Sequence, residues 1–159
     1  MNYQKFNVKI MQKSYFLLKI IIIYLFFISG GFTSKSSYFD DGKVLFEKKE
    51  FDKSKIFFEK DLVFNPKSEI SYLYLAKIFN VKNNDQEQEM NLNNVLLLNP
   101  QNDEAIYMLI LLKIKQSNYN EAEKLINKFD LVCKSFCSKR SEMREKLDKL
   151  MPENAKNNY

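Results

Sequence analysis

Cys133 and Cys137 are the only cysteines in the chain, four residues apart. An i, i+4 spacing allows three readings. These are a structural disulfide over a small loop, a pair of free thiols, and a redox or metal site. The redox reading lacks the Cys-x-x-Cys spacing. Zinc would find two thiolates and no histidine, half of a tetrahedral set. The absence of histidine also removes the commonest general base. The three glycines are Gly30, Gly31 and Gly42, so no glycine-rich phosphate loop exists. Carboxylate pairs such as Asp40-Asp41 and Glu87/Glu89 fall on polar helix faces or turns, where they read as solvated charges. The expectation is a non-catalytic protein with no catalytic residue, no metal site and no cofactor.

The elements that must position these residues follow from composition. A chain of 159 residues with 45% hydrophobic residues and fourteen phenylalanines predicts one domain with a real core. Glycine and proline number three each, which favours long helices with short turns over a turn-rich β fold. The net charge of +5 hints at nucleic acid, but Lys5, Lys9, Lys13 and Lys19 precede the remainder. Without them, 21 basic residues face 20 acidic ones. A nucleic-acid-binding domain carries its basic excess on the folded part, so no nucleic-acid partner is expected.

Residues 1–19 are basic with no acidic residue, and Ile20 to Ile28 is an unbroken apolar run. Ser29, Gly30 and Gly31 follow, then Phe32 and a polar stretch. This order predicts a hydrophobic leader helix over residues 1–34, a secretory signal peptide or an uncleaved membrane anchor. Tyr15 to Phe32 counts 18 residues interrupted by Lys19, short of a comfortable span. Both readings export the remainder, because the lysines stay on the cytoplasmic side. The expected location is therefore the periplasm, free or held at the inner membrane by the leader. In an exported chain an even cysteine pair favours the disulfide Cys133–Cys137.

A 34-residue period runs through the rest. Asn65-Pro66 and Asn99-Pro100 each close a run of about thirty helix-forming residues. In register on these prolines, Tyr38 falls on Tyr72, Gly42 on Ala76, Leu45 on Phe79 and Phe58 on Leu92. A third copy brings Ile106, Leu109, Ala122 and Ile126 to the corresponding positions, with Lys134 in place of the proline. This pattern resembles the tetratricopeptide repeat family, over residues 35 to about 134. The departures are Gln88, where a small residue is usual, and Asp61, where alanine is preferred.

The resemblance implies an all-α fold, an α-solenoid of antiparallel helix pairs, with a plain helical bundle as its rival. Repeats are expected at 35–68, 69–102 and 103–136, with a capping helix over 138–151 and a disordered tail over 152–159. Asp52 and Asp103 are expected as helix caps. The resemblance further implies that the first helix of each pair lines a concave groove. Peptide-binding positions are then Phe39 and Lys43, with Phe46; Leu73, Tyr74 and Lys77; and Tyr107, Met108 and Leu111, with Lys115. Lysines beside aromatic rings suit an extended or helical segment carrying acidic groups. The asparagine-containing clamp that some family members use for a C-terminal carboxylate is not reproduced there. The expected function is binding of an envelope protein or peptide, the alternative a membrane-tethered structural subunit of an envelope assembly.

Overall fold

A computed structural model describes Lys19 and residues 37–151. The expected leader (apart from Lys19) and the expected tail at 152–159 lie outside the described residues. The chain divides into two units, Met1–Lys35 and Ser36–Tyr159. In the second, seven α-helices follow one another: α1 (Tyr38–Glu47), α2 (Phe51–Phe64), α3 (Glu69–Val81), α4 (Asp85–Leu98), α5 (Asp103–Lys115), α6 (Tyr119–Val132) and α7 (Arg140–Leu150). A 3₁₀ turn, Cys137–Lys139, leads into α7. No strand occurs among the described residues, and no described helix is long and apolar enough to cross a membrane. The helices pack as adjacent pairs, α1 with α2, α3 with α4 and α5 with α6, and each pair packs on the next. That arrangement is compatible with an α-solenoid.

The backbone of the turns inside the pairs repeats with the 34-residue period. Lys49, Asn83 and Ser117 stand 34 residues apart, and each holds a left-handed backbone, with φ of 61°, 54° and 58°. Each is followed by a residue whose N–H reaches five residues back: Glu50 to the Leu45 carbonyl (2.9 Å), Asn84 to Phe79 (2.9 Å) and Asn118 to Lys113 (2.8 Å). This closes the carbonyl ends of the first helices in a Schellman turn. The next helix starts at once, so the chain reverses within a few residues.

Two expected caps are corrected. Asn102, not Asp103, caps α5, accepting the Ala105 N–H at 2.8 Å. Asp52 lies inside the first turn of α2, whose flanking residue Glu50 makes no side-chain cap. The Asp52 carboxylate instead pairs with Lys82 of the next helix pair. Asn84 and Asn118 supply side-chain caps to α4 and α6.

The core follows the same period. Phe58, Leu92 and Ile126 are fully buried at one position, and Ser54, Gln88 and Ala122 are buried at another. Gly42, Ala76 and Ile110 form a third buried set. At Gly42 a Cβ would stand 2.9 Å from the Phe58 ring and 3.2 Å from Phe57 Cβ, so α1 and α2 approach most closely there. The Ser54 hydroxyl donates to the Gly42 carbonyl at 2.7 Å across that contact. Asp61 accepts a 2.5 Å hydrogen bond from buried Ser71, which itself accepts from Ser68. One step on, the same joint is apolar, Val95 and Ala105, both fully buried.

The end of each later block is fastened by an acidic residue at that block's first helical position. Glu69 accepts from the amides of Asn99 (3.0 Å) and Asn102. Asp103, 34 residues later, accepts the backbone N–H groups of Lys134, Ser135 and Phe136 at 2.7, 2.6 and 3.0 Å. The same loop carries Cys133 and Cys137, which are at disulfide distance with Cα atoms 5.3 Å apart, inside the usual bridging range. Beyond it, α7 buries Met143 and Leu147 against α5 and α6 and turns its charges outward. Arg140 and Arg144 both pair with Asp130 of α6, at 2.6 Å each.

Candidate peptide-binding surface

The expected groove positions separate into two groups. In the first, aromatic rings pack on one another. The Tyr74 ring lies 5.6 Å from Phe39, 5.0 Å from Phe46 and 5.0 Å from Phe58. Phe51 stands edge-on to Phe46 at 5.4 Å. These rings fill the junction between the first two helix pairs, and Phe39, Phe46 and Tyr74 are only half-buried. Leu73 is a correction: it is 3% exposed and belongs to the core, so it offers a partner no surface. The Lys77 ammonium stands 4.9 Å over the Tyr74 ring and pairs with Glu104 at 2.8 Å, so its charge is already engaged. Lys43 is exposed.

The second group surrounds an open cavity. Met108 and Leu111 of α5 line it with Leu112 and Ile114, and Leu150 of α7 adds a further apolar wall. Its polar border consists of the Asn80 and Gln88 amides and the Lys115 and Lys146 side chains. The cavity holds about 360 Å³, within the range of small-ligand sites. Lys115 reaches Asp85 at 2.6 Å, and Lys146 is exposed. Tyr107 points instead at the cap: its ring lies 5.6 Å from Phe136 and its hydroxyl donates to Glu142 at 3.3 Å. Burial, then the Glu142 charge, raises the Tyr107 phenol above its ordinary value.

Of the residues around this cavity, Met108, Leu111 and Lys115 are among the expected groove positions, and Asn80, Gln88, Lys146 and Leu150 are not. Gln88 carried a signal, since a long amide stood where its counterparts Ser54 and Ala122 are small. Lys146 and Leu150 carried none, because their place depends on how α7 lies across α5. Next to the cavity, the Lys113 ammonium donates to Glu89 at 2.5 Å, and Gln116 donates to the other oxygen at 3.2 Å. The Lys113 hydrogen bond holds the Glu89 carboxyl below its ordinary value against the opposing effect of burial. Among the described residues no group of three or more His, Cys, Asp or Glu side chains is gathered as a metal site would need. The cavity presents an apolar floor with two lysine side chains at its border. No protein-family model matches this chain, and no curated protein matches it.

Proposed function

We propose that the chain is an exported tetratricopeptide-type α-solenoid that binds an envelope protein or peptide on its concave face without catalysing a reaction. The 34-residue recurrence of left-handed turns, buried positions and loop fasteners supports the repeat reading. The leader at residues 1–34, cleaved or retained, supplies the route out of the cytoplasm in this reading.

The observation that carries the binding reading is the cavity of about 360 Å³ beside α5. Its apolar floor takes one large apolar side chain, and Lys146 at the border takes an acidic group of the same segment. The aromatic cluster around Tyr74 gives that segment a rigid wall rather than a second pocket. A displayed random-peptide library is the direct test. Enriched peptides should pair an apolar residue with a nearby acidic one. Their enrichment should fall more than about tenfold, roughly 1.4 kcal/mol, for Met108→Glu combined with Lys146→Glu. A variant that keeps its helical circular dichroism and the same enriched peptides would remove the cavity from consideration.

A further inference from the structure

One edge of the helix pairs carries a row of apolar side chains that the fold does not use. Val63, Leu97 and Leu131 stand 34 residues apart, each in the last turn of the second helix of its pair. They are 76%, 80% and 86% exposed. Phe64 and Leu98 beside them are exposed as well. A single exposed apolar residue is ordinary, but a row in register with the repeat is a stripe. The core needs none of it, because α2, α4 and α6 bury Phe58, Leu92 and Ile126 on another face.

Exposed lysines flank two of the three stripe positions, Val63 and Leu131, and Leu97 has no charged residue within four positions. Lys60 and Lys67 stand three residues before Val63 and four after it, and Lys134 stands three after Leu131; all three are exposed. Asp61 accepts from Ser71, and Asp40, exposed in the first turn of α1 at the same edge, accepts from the Ser37 hydroxyl. Glu59 pairs with Lys55 at 2.5 Å, Asp130 pairs with two arginines, and Asp103 takes three backbone N–H groups. Apolar side chains with lysines beside them fit an interface of acyl chains and anionic headgroups. They fit a second copy of the chain poorly, since that would set lysine against lysine.

The same edge carries the first residue of α1. Tyr38 begins α1 only six residues beyond Phe32, and its ring stacks on Phe64 at 5.4 Å. We propose that this edge rests on an anionic phospholipid surface, with Val63, Leu97 and Leu131 at the boundary between headgroups and acyl chains. The contact is separate from the groove and does not depend on what the groove holds.

The chain contains no tryptophan, so one introduced tryptophan reports alone. The full chain carrying Leu131→Trp, or Leu97→Trp as a second reporter, is reconstituted with phosphatidylglycerol-containing vesicles. Val81→Trp is the control: it is 52% exposed but stands at the opposite end of its 13-residue helix, about 20 Å away. The apolar segment brings every variant to the vesicle, so the comparison is between positions. Brominated lipid should quench Leu131→Trp and Leu97→Trp several-fold more than Val81→Trp, with a blue shift. Lys60→Glu, Lys67→Glu and Lys134→Glu together should abolish the difference. Equal quenching at both edges, or a difference that survives the charge reversal, overturns the proposal. So does a blue shift that appears without lipid and grows with protein concentration, which would assign the stripe to self-association.

Discussion

Asp103 shows how one carboxylate can govern a chain end. Burial pushes its pKa up, and the N–H groups of Lys134, Phe136 and Ser135 more than offset this, so the net shift is downward. A carboxyl lowered on folding contributes stability that is fully present above its unfolded value near pH 3.9. That contribution is lost as pH falls through the lower folded value. Acidification below about pH 4 should therefore loosen the 133–137 loop first. At neutral pH, Asp103→Asn should cost about 1–2 kcal/mol, at the lower end because the group is partly solvated. Urea melts at pH 7 and pH 3 check both statements: the wild type should approach the variant at the lower pH. A gap that stays constant with pH would mean that the contribution of the three N–H contacts does not depend on the charge of Asp103. Sequence reasoning gave Asp103 a different job, as a cap. Adjacent Asn and Asp residues compete for that role, and the helix start had to shift by only one residue for Asn102 to take it. Leu73 was misplaced for a related reason. Leu73, Tyr74 and Leu75 are consecutive, and a rotation of 100° per residue decides which of them faces the core.

At the scale of elements, helix ends were more legible than side-chain roles. The Asn-Pro pairs stop α2 and α4 where proline's missing N–H and fixed φ demand it. The polar pairs at 49–50, 83–84 and 117–118 mark the reversals. What the residue types concealed was the left-handed backbone, since Lys49 and Ser117 are not residues that announce it. Both occupy a conformation that disfavours a Cβ by roughly 1–2 kcal/mol, while glycine adopts it freely. Lys49→Gly and Ser117→Gly should each stabilise the protein by about 0.5–1 kcal/mol, after the greater flexibility of the unfolded glycine is deducted. Asn83→Gly should gain less, because asparagine tolerates the region. A lower urea midpoint for Lys49→Gly would show that its turn is not held in the left-handed state. The cavity was the least legible element, because its walls come from helices far apart in sequence.

For the whole molecule, contacts run mainly between neighbouring helices, so stability is distributed along the chain rather than gathered at one centre. The distribution is uneven. In α1 only Gly42 is buried, and Val44 stands half exposed where its counterparts Ile78 and Leu112 are buried. In α5 six residues are buried, Ala105, Ile106, Leu109, Ile110, Leu112 and Ile114. Native-state hydrogen exchange should find α1 opening first and α5 last, with α3 between them. Uniform protection across the three would indicate a single closed core instead of a series of stacked pairs. The period itself was readable because prolines and small residues punctuate it at fixed distance. The direction of weakening was not, since it depends on how much of each first helix finds a covering neighbour.

The seven residues between α6 and the final helix, 133–139, have two independent clasps, a cysteine pair at disulfide distance and the Asp103 carboxylate. The carboxylate needs no oxidant, so the loop can close around it while both thiols are still reduced. Closure brings the two sulfurs within bonding range ahead of any electron transfer. With both thiols reduced, the loop therefore keeps a seat on α5 that does not depend on a bond between Cys133 and Cys137.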